Sequence, residues 1–179
     1  MIADHSAQTG AYIGLGSNLE TPAEQVIRAF GELHRIPQTR CIARSSLYVS
    51  APLGPTDQPD YINAAAALVT GLDARSLLNH LQAIERAHGR ERGERWGPRT
   101  LDLDLLIFGE TIMNTRELVL PHPEICNRDF VLIPLHEIAP ELRIPGRGAL
   151  AGLIPDHSPE GLTIWKGVAA DFDGSSSML

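Results

Sequence analysis

Asp102 and Asp104 stand two residues apart in the stretch TLDLDLLIF, with Leu101, Leu103 and Leu105 interleaved. In an extended strand, residues i and i+2 point to one face, about 7 Å apart along the chain. Two carboxylates aimed at one point repel unless a cation lies between them. Hard divalent ions take oxygen ligands of this kind, and Mg2+ typically uses one or two carboxylates together with substrate phosphates. The spacing alone also fits an amphipathic strand with one wet face.

The residues just upstream turn the reading toward phosphate. The window 86–99 holds Arg86, Arg90, Arg92, Arg95 and Arg99 against Glu91 and Glu94, a net of +3 in a chain of net −7. A local basic cluster in an acidic protein suits a compact polyanion such as a nucleotide, although a solvated charged loop has the same composition. The acidic remainder argues against bulk nucleic-acid binding, which leaves a basic footprint.

Other side chains supply recognition. Trp96 sits in a Gly/Pro-rich loop, from which it could fold over a bound ring. Tyr61 and Phe130 also adjoin loops, in a chain with only 5% aromatic residues. Asn63 shares a strand face with Tyr61, and an amide beside an aromatic can read the donor–acceptor edge of a flat heterocycle. His122 could donate to a phosphate, and Arg128 could clamp one. GLGSN near the start invites a dinucleotide-binding reading, but the third glycine position is Leu19 and no Walker lysine follows. Gly14 and Gly16 are therefore expected as turn residues, where φ must be positive.

The elements that must position these groups follow from patterning. AYIGLGS reads as a strand entering a turn. Thr21, Pro22 and Glu24 form an N-cap, first helical residue and capping box, and Val26, Ile27, Phe30 and Leu33 share the face of the helix that follows. CIARSSLYV (41–49) is a second strand, and the loop 50–60 holds three prolines. YINAAAALVT (61–70) is a third strand. Asp73 caps a second helix with Leu77, Leu78, Leu81 and Ile84 on its buried stripe and Gly89 at its end. After a loop over 89–98, residues 100–108 form the fourth strand. VLIPLHEIA looks helical, with Pro134 resetting or starting a turn. The order β-α-β-β-α-β is the split βαβ, ferredoxin-like arrangement, an α+β fold with a mainly antiparallel sheet and an extra C-terminal hairpin and helices.

The 179-residue length suits a single domain, expected over 11–160, with a flexible N-terminus (1–10) and a partly disordered C-terminal extension (161–179). No apolar run approaches the ~18 residues of a membrane span. Cys41 and Cys126 read as buried free thiols in a reducing cytoplasm.

Four blocks in order then resemble one family, 6-hydroxymethyl-7,8-dihydropterin pyrophosphokinase of folate synthesis: YIGLGSNL, PLGPTDQPDYINAA, RWGPRTLDLDLL and LPHPEICNRDFVLIPLHEIAP. The likeness covers about residues 11–150. It implies transfer of an intact pyrophosphoryl group from ATP to the pterin hydroxymethyl oxygen, with AMP released and two Mg2+ ions required. It makes Asp102 and Asp104 the metal ligands, with Arg92 and Arg99 beside them in catalysis. Tyr61 and Phe130 become the walls of a pterin sandwich. Asn63 and the backbone around Ser50, Ala51 and Leu53 read the pterin edge. Arg90, Arg92, Arg99, His122 and Arg128 become the ATP phosphate set, Gln82 and Glu85 line the cleft, and Trp96 belongs to a closing loop. Two departures stand out: Ser50-Ala51 replaces a Thr-Pro common in the family, and GRERGER is one residue short of some members. The resemblance makes the expected partners two small molecules, with no nucleic acid and no membrane, and the expected state is monomeric. Competing readings are an Mg-dependent kinase or nucleotidyltransferase on another substrate, and a ferredoxin-like ligand-binding regulatory module.

Overall fold

The computed structural model describes residues 8–54, 57–89, 99–156 and 161–166. Strand β1 (Thr9–Ser17) leads into helix α1 (Pro22–His34), then β2 (Thr39–Arg44), β3 (Tyr48–Ser50) and β4 (Tyr61–Thr70). Helix α2 (Ala74–Ala87) and strand β5 (Asp102–Phe108) complete the core. A short hairpin, β6 (Met113–Asn114) with β7 (Val119–Leu120), precedes helix α3 (Asp129–Ile138). A second hairpin, β8 (Arg143–Ile144) with β9 (Gly148–Ala149), and an edge strand β10 (Thr163–Ile164) follow.

The main sheet runs β10-β3-β4-β1-β5, with β2 also paired to β4, and every pairing is antiparallel. This is the expected ferredoxin-like α+β order. One face packs on α1 and α2 through Ile13, Leu15, Val26, Phe30, Leu33, Leu77, Leu81, Leu101, Leu103 and Leu105. The other packs on α3 through Ala65, Leu106, Val131, Leu132 and Leu135. Strand β4 is central and buried on both faces, so its alanines 64–67 are small residues squeezed between two layers rather than a helical signal.

Four local expectations are corrected. The second strand is two strands, because Ser45 diverts the ladder. Its N–H donates to Ala65 C=O at 2.9 Å, its hydroxyl accepts from Ala65 N–H at 2.8 Å, and that hydroxyl donates to Ser46 C=O at 2.7 Å. Thr21 is the N-cap but makes no capping box: it adopts φ 59°, and its hydroxyl donates to Glu20 C=O instead. Gly14 and Gly16 lie inside β1 and neither has positive φ. Pro134 sits within a continuous α3 rather than resetting it.

Other expectations hold closely. Asp73 caps α2 by accepting from the Ser76 N–H at 2.8 Å, and Gly89 ends that helix at φ 77°. Both cysteines are free and half-buried rather than fully buried, and burial pushes the Cys41 thiol up. Residues 161–166 include β10, whose Thr163 and Ile164 pair with Val49 and Tyr48. Residues 1–7 and 167–179 lie outside the described residues. Among the described residues no helix is long and apolar enough to cross a membrane.

Candidate active site

Leucine burial fixes the aspartates. Leu101, Leu103 and Leu105 are each under 5% exposed against α1 and α2, so the alternation of β5 turns Asp102 and Asp104 to the opposite face. Their side chains are 32% and 35% exposed, open enough to meet a ligand. Glu85 of α2 secures the same strand from its edge: its buried carboxylate accepts the Leu103 N–H at 2.7 Å.

Register across the sheet explains the two glycines. Asp102 pairs with Gly16, and Gly16 pairs on its other side with Asn63. Asp104 likewise pairs with Gly14. Both glycines border the cavity described below, and a Cβ on Gly16 would lie 3.5 Å from Asn63 Oδ1. The missing side chains thus leave a bare strip of sheet between an amide and a carboxylate. Two strand spacings make that strip about 10 Å wide.

A cavity of about 410 Å3 opens over the strip. Its lining brings together Ser50, Ala51, Leu53, Tyr61, Asn63, Arg99, Asp102, Asp104, His122, Arg128 and Phe130. These come from β3, β4, β5, the loop after β3, the loop before β5, the segment leading into α3, and the first turn of α3 itself. Asn63 is 4% exposed and its Nδ2 donates to Ser50 Oγ at 2.7 Å, which fixes the amide's rotation. Gln82 is exposed on α2 and Glu85 faces β5, so neither borders this cavity. Arg90, Arg92 and Trp96 lie outside the described residues.

The charged groups converge without collapsing on one another. Arg99 Nη1 stands 3.9 Å from Asp102 Oδ1, and His122 Nε2 stands 3.9 Å from Asp104 Oδ2. The Glu124 N–H donates to His122 Nδ1 at 3.2 Å, so a neutral His122 carries its proton on Nε2, facing the aspartate. Burial holds the imidazole below its usual pKa, Arg128 adds to that, and Asp102 and Glu124 oppose it. The Arg128 guanidinium lies 5.9 Å from the Phe130 ring centroid. Burial raises the Tyr61 phenol, with Arg99 opposing and Asp102 assisting.

Asn18 is a residue that pattern reading passed over. It is 1% exposed, and its side chain joins two loops of the site. Nδ2 donates to Pro59 C=O at 3.1 Å and to Gln58 Oε1 at 3.3 Å, while Oδ1 accepts the Arg99 N–H at 2.8 Å. The available signal was its place at the end of β1, between two irregular segments.

The family model for 7,8-dihydro-6-hydroxymethylpterin-pyrophosphokinase matches residues 12–140, most of the chain. The chain belongs to this family. It is an ATP-dependent pyrophosphokinase that transfers pyrophosphate to 6-hydroxymethyl-7,8-dihydropterin in folate biosynthesis. The 2-amino-4-hydroxy-6-hydroxymethyldihydropteridine pyrophosphokinase of Pseudomonas aeruginosa is 49% identical over 151 residues, covering 84% of this chain and 93% of that protein. The Haemophilus influenzae pyrophosphokinase of the same name is 47% identical over 144 residues, covering 80% and 90%. The solved Plasmodium falciparum HPPK-DHPS has a similar fold, with a TM-score of 0.65 at 14% identity over 82% of this chain. This pyrophosphokinase spans only 42% of that longer protein. Membership sets aside the readings of a regulatory module and of a kinase on another substrate.

Proposed function

We propose that the cavity holds the pterin ring between Tyr61 and Phe130, with its hydroxymethyl group directed along the bare strip toward Asp102 and Asp104. The observation that carries this is the row Asn63–Gly16–Asp102 across β4, β1 and β5. It sets an edge-reading amide and a carboxylate about 10 Å apart with nothing between them. That span matches a bicyclic ring with a one-carbon arm. Each aromatic face contributes about 1 kcal/mol beyond its buried area. Asn63, locked by Ser50, presents its oxygen over Gly16 to the ring edge, and backbone at Ala51 and Leu53 completes that edge.

The carboxylates suit Mg2+. Among the described residues no group of three His, Cys, Asp or Glu side chains is placed to hold a metal ion by itself, and an aspartate pair would leave most coordination positions to phosphate oxygens and water. We propose two ions, both held by Asp102 and Asp104. When bound, Mg2+ supplies charge neutralisation on the triphosphate and acidity at the attacking hydroxyl.

The protein's own groups do the rest. The pterin oxygen attacks the β-phosphorus in line; the new O–P bond forms as the bond between the β-phosphorus and the α,β-bridging oxygen breaks, and AMP leaves. Arg99 and Arg128 offset charge on the phosphate oxygens, and His122 donates from Nε2. Arg90, Arg92 and Trp96 are assigned to the same nucleotide and to closure over it on the resemblance alone. Positioning of the two substrates supplies much of the rate. The protein is proposed to act as a monomer, and the free thiols suit a cytoplasmic protein.

A crystal with a nonhydrolysable ATP analogue, Mg2+ and the pterin alcohol tests the assignment. Metal at Asp102 and Asp104, with the ring between Tyr61 and Phe130, is the expected result. Metal held elsewhere sinks it.

A further inference from the structure

Glu137 lies outside the cavity, near the end of α3, and its carboxylate spans two elements. Oε1 accepts the Ser46 N–H at 2.9 Å and the Ser46 hydroxyl at 2.9 Å. Oε2 accepts the Tyr48 hydroxyl at 2.6 Å. Ser46 sits in the break between β2 and β3, and Tyr48 opens β3. One carboxylate therefore takes three donors from Tyr48 and from the break that leads into the strand ending in Ser50.

The other end of the same helix carries Phe130. Seven residues separate Phe130 from Glu137, which is two turns and about 10.5 Å along one helix face. The strand side is equally direct. In the β3–β4 register Tyr48 pairs with Asn63 and Ser50 pairs with Tyr61. Of the groups that Glu137 holds, Tyr48 is thus the cross-strand partner of the edge reader Asn63, and two residues further along the same strand Ser50 partners the second aromatic wall, Tyr61.

Val131, Leu132 and Leu135 pack α3 on Ala65 and Leu106 of the sheet, and Glu137 adds a polar tie to β3 near the end of the helix. Strand β3 is three residues long. Pro134 inside α3 lacks the N–H that would bond the Phe130 carbonyl, so the helix is weakest between its two ends. Tyr48 is 8% exposed, and burial together with the Glu137 carboxylate pushes its phenol far up, so it remains a donor at any working pH.

We propose that Glu137 is a positioning residue that sets the gap between Phe130 and Tyr61, and through it the affinity for the pterin but not for the nucleotide. This rests on the reading of the cavity as the pterin site.

The test titrates the pterin alcohol into protein saturated with a nonhydrolysable ATP analogue and Mg2+, and titrates the ATP analogue alone in parallel. Glu137→Ala raises the pterin Kd about tenfold, equivalent to 1.4 kcal/mol, and leaves the nucleotide Kd within about twofold. Tyr48→Phe gives a smaller rise in the same direction. The double variant is no worse than Glu137→Ala, since both remove one interaction. Glu137→Gln, which keeps one acceptor oxygen, recovers part of the loss. Equal weakening of both ligands, or a lower Tm with unchanged pterin affinity, overturns the proposal and leaves Glu137 a stabilising contact. Should Glu137→Ala not fold, Tyr48→Phe and Ser46→Ala, each losing one hydroxyl, decide by the same two titrations. Phe130→Ala and Asn63→Ala are run alongside. If they leave pterin affinity unchanged, the cavity reading falls and the role of Glu137 falls with it; if they weaken it while the Glu137 variants do not, only the latter falls.

Discussion

Asn18 and Arg99 exchange two hydrogen bonds: the Asn18 N–H donates to the Arg99 carbonyl at 3.0 Å, and the Arg99 N–H donates to Asn18 Oδ1 at 2.8 Å. The pair fixes the backbone from which the Arg99 side chain reaches Asp102. Asn18→Ala removes the partner of the Arg99 N–H and of the Pro59 carbonyl at a partly buried point, and each lost bond costs about 1 kcal/mol. Urea unfolding is expected to show a lowered midpoint, and steady-state assay a fall in kcat/KM. Asn18→Asp keeps the acceptor for Arg99 but loses the donor to Pro59, and retains more activity than Asn18→Ala. An alanine variant as stable as the parent contradicts this.

Asp102→Ala and Asp104→Ala each lower kcat by about 10^3-fold or more, a loss of roughly 4 kcal/mol in transition-state stabilisation. Neither lowers Tm, because both side chains are a third exposed and removing one relieves like-charge repulsion. Turnover near the parent rate at saturating Mg2+ would remove the carboxylates from the metal role.

Gly16→Ala separates a space-keeping glycine from a turn glycine. The new Cβ would meet Asn63 Oδ1 at 3.5 Å, ordinary contact, and φ there is not positive. Tm is expected to hold or rise, since glycine weakens a strand. The KM for the pterin rises, and Gly16→Val extends the effect. A variant that unfolds while a folded remnant binds pterin normally would restore the turn reading.

Asp73 caps α2 with both carboxylate oxygens, accepting the Ser76 N–H and hydroxyl. These bonds hold its carboxyl below the usual aspartate range. A depressed folded-state pKa contributes stability above the unfolded value of about 3.9, lost as pH falls through the folded value. The Tm advantage of the parent over Asp73→Ala is therefore full at pH 6 and shrinks below about pH 4. A constant difference across that range assigns the cap no charge component.

Periodicity made much of this molecule readable. The Leu/Asp alternation of 101–105 placed both carboxylates on one face, and Asp73 and Gly89 bounded α2. What escaped depends on partners distant in sequence. Ser45 splits a strand because it meets Ala65, twenty residues on. Gly14 and Gly16 looked like turn residues because a strand glycine shows its purpose only when its neighbours, Asp104, Asp102 and Asn63, are known. Glu85 followed the buried stripe of α2 at Leu81+4, but only the position of β5 shows what its charge accepts. Four quoted blocks carried the family likeness, and two of them hold every described cavity residue outside β1 apart from Ser50, Ala51, Arg99 and the aspartates.

Strand β10 occupies the outer side of β3, and the Trp165 N–H reaches the Leu47 carbonyl at 2.8 Å. A chain cut before residue 161 would present a short row of unclaimed peptide groups beside Tyr48 and Val49. Rows of that kind recruit strands from neighbouring molecules. The last described residues thus serve as a cuff on the sheet's margin, and trimming them to tidy the protein would trade solubility for self-association.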